Sequence, residues 1–152
     1  MDCMKPSPAI AALAALAATA AVAAGATVKP TIKPSHNTAL NKTIVVDAKK
    51  GRTLYWLSPE TKKHVLCKDS TCTGFWPPLT VKSLHTKVRA AFGIQGKLTV
   101  FKRPDGRFQV ALRGEPLYRF AGDSAKGQAN GEGIQTFGGT WHAVVSRTSS
   151  GY

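Results

Sequence analysis

Residues 97–123, KLTVFKRPDGRFQVALRGEPLYRFAGD, decide how the chain folds. Two β-prone runs, Lys97 to Arg103 and Arg107 to Arg113, flank Pro104-Asp105-Gly106. The proline presets φ for a turn and the glycine tolerates positive φ, so these residues predict a hairpin. Leu98 and Val100 share one face of the first strand; Phe108, Val110 and Leu112 share one face of the second, with Arg107, Gln109 and Arg113 opposite. That alternation predicts a sheet with one buried face. Beyond Gly114-Glu115-Pro116, Leu117 to Phe120 read as another short strand.

Outward from this stretch the same pattern returns. GRTLYWLSPE at 51–60 and GEPLYRFAGD at 114–123 both set Leu-Tyr three residues after a glycine, with an acidic residue five after the tyrosine. The chain therefore reads as two degenerate repeats about 63 residues apart, each completing its core against the other. Thr43 to Val46 and Thr53 to Leu57, either side of the turn Lys49 to Arg52, predict a second hairpin. Thr140 to Val145 adds a strand, and Ser83 to Ala91 is the one stretch that suits a helix of a turn or two. The expected fold class is mainly β: a small antiparallel domain of two degenerate repeats, preceded by an N-terminal signal helix.

The 152 residues include 21 Lys+Arg and 8 Asp+Glu, a formal net charge of +13. Lys5 followed by an Ala/Leu/Val run from Ala9 to Ala24 and then small residues is the layout of a secretory signal peptide, assigned to 1–26. The run is shorter than a spanning helix of roughly 20 residues and poor in Leu and Ile, so no transmembrane span is expected after cleavage. Removing 1–26 takes away Lys5 and Asp2 and leaves the charge at +13. Residues 27–41, with two Lys-Pro dipeptides and no apolar periodicity, read as a basic linker; 42–147 are assigned to the folded domain and 148–152 to a flexible tail.

The succession DAKKGRTLYWL, CTGFWPPL, FKRPDGRFQVALRGEPLYRFAGD and GTWHAVV resembles the bacterial "secreted repeat of unknown function" family, over roughly 43–146. Members are predicted envelope proteins or lipoproteins with a Tyr-x-aromatic-x-x-Asp signature. Tyr118, Phe120 and Asp123 match that signature; the first copy departs from it at Leu57 and Glu60. The lipobox cysteine of lipoprotein members has no counterpart here, which makes a soluble secreted or envelope-associated form the expectation. The resemblance implies a fold and a location, and no biochemical activity.

Candidate chemistry is sparse. Cys67 and Cys72, separated by four residues in a secreted chain, are read as a structural disulfide worth ~2 kcal/mol. A competing reading adds His64, giving a His64/Cys67/Cys72 ligand set for Cu or Zn, or a redox-active dithiol. The glycine-rich stretch Asp123 to Gly133 is read as a long turn in which Asp123 accepts backbone hydrogen bonds, in preference to a calcium loop. Tyr55, Trp76, Tyr118 and Trp141 are assigned to the core, since a small domain poor in Leu and Ile fills itself with rings. Trp56 is expected to be the most exposed of the aromatics, and glycan binding through Trp56 and Trp141 requires both to face solvent on one side. Basic residues, among them Lys62, Lys63, Arg103 and Arg119, scatter over turns and exposed strand positions without a nucleic-acid motif. Lys49, Lys50, Arg52, Arg107 and Arg113 are the candidate contacts to anionic envelope polymers or a membrane surface. No GxSxG, HExxH or P-loop occurs, and neither an enzymatic activity nor a cofactor is expected.

Overall fold

The structure, a computed structural model, describes residues 27–147. The assigned signal helix at 1–26 and the tail at 148–152 lie outside the described residues.

Consecutive apolar residues such as Ile44-Val45-Val46 suit a strand covered on both faces, and the fold uses them that way. Strands β1 (Ile32–Asn37) and β2 (Lys42–Asp47) form an antiparallel hairpin, and β3 (Tyr55–Ser58) follows. A one-and-a-half-turn helix, α1 (Ser70–Phe75), precedes β4 (Thr80–Val81). The second half repeats the plan with β5 (Leu98–Lys102), β6 (Phe108–Leu112), β7 (Glu115–Pro116), β8 (Gln135–Thr136) and β9 (Gly139–Ala143). The sheets are β1-β2, β3-β9-β8 and β4-β6-β5, with β7 also on β6, and every strand pair is antiparallel.

Neither repeat closes on itself. Val45 N–H donates to Val144 O (2.7 Å), whose own N–H donates to Leu54 O (2.8 Å); in the other half Val110 N–H donates to Leu79 O (2.9 Å) and Leu79 N–H to Leu117 O (2.8 Å). The last strand of each repeat thus completes the hairpin unit of the other. At the centre Tyr55 and Tyr118 exchange both backbone hydrogen bonds, at 2.8 and 2.9 Å, which places a pseudo-twofold axis between them.

Side chains alternate across these strands into two cores. Ile44, Val46, Tyr55, Leu57, Tyr118 and Trp141 enter one; Val45, Leu54, Leu112, Leu117 and Val144 enter the other. Trp76 and Trp141, corresponding residues of the two repeats, stack across the axis at 3.9 Å between centroids and 4° between planes. Each meets the tyrosine of its own repeat edge-on: Tyr55 on Trp76 at 5.3 Å and Tyr118 on Trp141 at 5.1 Å. Gly131 lies beneath this cluster, where a Cβ would come within 2.7 Å of the Trp76 ring.

Several expectations change. Residues 27–41 are not a linker throughout: Ile32–Asn37 is β1, and the folded unit begins before Lys42. Its order comes from backbone pairing with β2, burial of Ile32 and an edge position that tolerates Pro34, none of which produces apolar periodicity. No helix forms at Ser83–Ala91; the helix stands at Ser70–Phe75, where Asp69 caps it by accepting from Cys72 N–H (2.9 Å). The predicted β5–β6 hairpin is present, with Gly106 at φ 86°. The face of the hairpin expected to meet solvent is covered instead: Gln109 on β6 and Arg103 just after β5 are buried, and Arg103 donates to Gln109 Oε1 and to Cys67 O of the first repeat.

Candidate functional site

The signature tyrosines and acids pair across the axis. Tyr118 Oη donates to Glu60 Oε1 (2.9 Å), and Tyr55 Oη donates to Asp123 Oδ2 (2.6 Å), so the tyrosine of each repeat is held by the acid of the other. Each acid also fixes its own loop: Glu60 Oε1 accepts from Leu66 and Cys67 N–H (2.8 and 3.1 Å), and Asp123 Oδ1 accepts from Asn130 N–H (2.9 Å). Phe120 stacks on Trp76 at 4.4 Å. Tyr55, Tyr118, Glu60 and Asp123 are buried and Phe120 is half-buried, so the signature serves chiefly to join the repeats.

Arg103 completes the network from a fully buried position. Its guanidinium donates to Asp105 Oδ2 (Nε, 3.0 Å), Gln109 Oε1, Tyr118 Oη (3.1 Å) and Cys67 O (2.6 Å). Burial would raise the Asp105 carboxyl, but hydrogen bonds from Arg107 and Arg103 outweigh it and hold Asp105 well below the usual carboxylate range. Burial pushes Glu60 the other way, above the ordinary value, against donors from Cys67, Tyr118 and Leu66 and the charge of Arg103; Glu60 Oε2 has no partner. A carboxyl raised on folding stabilises fully below its unfolded pKa, and the contribution is lost as pH rises through the folded value. As pH rises above the ordinary Glu value of about 4.3, wild-type protein is therefore expected to lose unfolding free energy relative to Glu60→Gln. Parallel stability–pH curves from urea titrations would count against a buried, raised Glu60.

On the surface a group of charged and polar side chains surrounds Trp56. Trp56, Arg113 and Glu115 line two adjoining hollows of ≈ 250 and ≈ 430 Å³. Strand β3 presents the half-buried indole, whose ring lies 5.2 Å from His142 on the paired strand β9 with a tilt of 37°. Lys42 from β2, Lys62 and Lys63 from the loop after β3, Arg113 from the β6–β7 turn and Arg147 from the end of the described chain complete the rim. Lys62 N–H donates to Gly114 O (2.9 Å), which fixes that loop beside Arg113. Among the described residues none of these five cations forms an ion pair. Glu132 is already engaged, accepting from Ala143 N–H (2.6 Å) and contacting His142 Nδ1 (3.2 Å). Burial raises the Glu115 carboxyl above its usual value despite Arg113 and Arg147 nearby.

The second repeat runs from β5 through β9 and carries the complete Tyr118/Phe120/Asp123 signature. Residues 99–145 match the family described as a secreted repeat of unknown function. The match spans one secreted repeat, the second copy, and leaves out the first, where Leu57 and Glu60 depart from the signature. Its description agrees with the secreted location expected from the sequence. No curated protein and no solved structure matches the chain. Among the described residues no helix is long and apolar enough to cross a membrane.

Other candidate residues fall elsewhere. Cys67 and Cys72 are joined as a disulfide around α1, with their α-carbons 5.5 Å apart. Thiolates are thus absent from the His64/Cys67/Cys72 set, and His64 is exposed, with its backbone paired to Thr61. No group of three metal-ligating side chains occurs among the described residues. The 123–133 segment is closed by its own hydrogen bonds, including Ser124 and Ala125 N–H to Gln128 Oε1 (2.7 and 2.9 Å). Trp141 is fully buried, which removes the Trp56/Trp141 glycan platform.

Of the five candidate polyanion contacts, only Arg113 lies at the Trp56 cleft. Arg52 donates to Asp123 O (2.9 Å) and Arg107 is clamped by Asp105 (2.8 Å), while Lys49 and Lys50 stand exposed on the β2–β3 turn. Local sequence does not single out Lys42 and Arg147, because they reach the cleft from opposite ends of the domain.

Proposed function

We propose that the protein is a non-catalytic, extracytoplasmic module that binds anionic polymers of the cell envelope along the basic rim of the Trp56 cleft. The observation that carries this reading is the gathering of Lys42, Lys62, Lys63, Arg113 and Arg147, without ion-pair partners among the described residues, around an open hollow. A polymer with regularly spaced phosphates can meet several of these cations together, whereas a small anion meets one or two. The Trp56 face adds an apolar wall between the charges. No step of bond chemistry is assigned to the cleft: of its three carboxylates, Glu115 sits among cations, and Glu60 and Glu132 are already hydrogen-bonded.

The test is retention on immobilised poly(glycerol phosphate) as salt is raised. Exposed charges contribute up to about 1 kcal/mol each, so Lys62→Glu/Lys63→Glu/Arg113→Glu is expected to weaken binding by at least ~10-fold at low ionic strength. Lys49→Glu/Lys50→Glu, on the β2–β3 turn, serves as the exposed-charge control and is expected to retain most of the affinity. Losses in proportion to the charge removed, about six units against four, would reduce the interaction to net charge alone and refute the cleft.

A further inference from the structure

Phe92 is fully exposed, although its neighbours along the chain are packed. Ala90 and Ile94, two positions to either side, pack against the core formed by Ile32, Val45 and Leu112. Ala91 N–H donates to Ile32 O (2.9 Å), Thr31 N–H donates to Arg89 O (2.7 Å), and Gly93, at φ 91°, turns the chain and accepts from the Ser146 hydroxyl. The loop is therefore braced on both sides of a ring that contributes nothing to folding. Two hollows, ≈ 590 and ≈ 340 Å³, flank Phe92. Lys29, Arg89 and Arg147 line them together with exposed Val28, and no acidic residue lines either one.

We infer that this face docks on an anionic lipid bilayer, with the Phe92 ring in the interfacial layer and Lys29 and Arg89 against the headgroups. A single projecting ring encircled by cations lacks the breadth of a protein interface. It suits a surface that is anionic, laterally continuous and able to admit a ring without a preformed pocket. A lining of Lys29, Arg89 and Arg147, with no acidic residue, makes the Phe92 face complementary in charge to anionic headgroups. It is separate from the Trp56 cleft, with only Arg147 bordering both.

Phe92→Trp places an indole at the site without disturbing a packed position. Vesicles of phosphatidylglycerol and phosphatidylcholine are expected to shift its emission to the blue, and brominated lipid to quench it; pure phosphatidylcholine vesicles are expected to do neither. Lys29→Glu and Arg89→Glu should each weaken vesicle binding at least about fivefold, the equivalent of ~1 kcal/mol for a basic side chain near the surface. Phe92→Asp should abolish binding at physiological salt and leave retention on poly(glycerol phosphate) unchanged. Absence of vesicle binding, vesicle binding that leaves the emission of the Phe92→Trp variant unaltered, or unaltered binding of Phe92→Asp would each overturn the inference. Loss of polymer retention in Phe92→Asp would reassign the face to the polymer and overturn it as well. The polymer experiment at the Trp56 cleft stands or falls separately, because Phe92, Lys29 and Arg89 do not line that cleft.

Discussion

Replacing Arg103 with methionine is expected to lower the unfolding free energy by ~3–5 kcal/mol, the range for breaking a buried charged network from one side. Methionine keeps much of the stem volume, so the loss reports the guanidinium and not a cavity. Without it, Gln109 Oε1 and the Cys67 carbonyl lose donors in the interior, and the Tyr118 hydroxyl loses one of its two partners. Each buried acceptor left unpaired costs about 1–3 kcal/mol. Asp105→Asn provides the contrast. Its side chain is 25% exposed, so water replaces what the carboxylate gave, and the expected loss is about 1 kcal/mol or less. Guanidinium titrations followed by circular dichroism decide the matter. An Arg103→Met variant within about 1 kcal/mol of wild type would show that the interior bonds contribute nothing net.

The second large effect belongs to the tryptophan pair. Trp76→Ala and Trp141→Ala are each expected to lose ~3–5 kcal/mol, the usual range for deleting a buried Trp, out of a total stability of about 5–15 kcal/mol for an ordinary domain. The two rings are related by the pseudo-twofold and are both essentially inaccessible, so the losses should be similar although the substitutions fall in different repeats. The double variant should lose less than the sum of the single losses. The shortfall is expected near ~0.5–1.5 kcal/mol, the coupling measured for aromatic pairs beyond their burial. A mild Trp76→Ala beside a severe Trp141→Ala would indicate that the repeats fold around separate cores. Additive losses would indicate that the stacked geometry adds nothing to burial.

Much of the architecture is written locally. The β5–β6 hairpin follows from Pro104-Asp105-Gly106 between alternating runs, and both repeats are visible in the recurrence of Leu-Tyr with an acid five residues on. The burial of Tyr55, Trp76, Tyr118 and Trp141 follows from how little aliphatic material a small domain has to fill its interior. Local pattern fails where the partner is distant. β1 has Pro34, Lys33 and His36 in its middle and is ordered by its neighbour, so nothing in its own composition marks it as a strand. Arg103 and Gln109 resemble surface residues on the outward face of a hairpin; they are buried because another repeat covers that face.

The candidate site divides the same way. Trp56 and Arg113 can be named from alternation and turn position, but the rim they belong to draws on β2, the β3 loop, the β6–β7 turn and the chain end, which adjoin only after folding. By itself the sequence determined the β class, the two repeats, the secreted-repeat relationship and the surplus of positive charge, because each depends on residues close in the chain or on composition. Tertiary structure alone decided that the signature works in reciprocal pairs, Tyr118 with Glu60 and Tyr55 with Asp123. The spacing within each copy places tyrosine and acid near each other in sequence, yet a pseudo-twofold axis brings each tyrosine to the other copy's acid. The motif therefore holds two halves together that neither half could close alone.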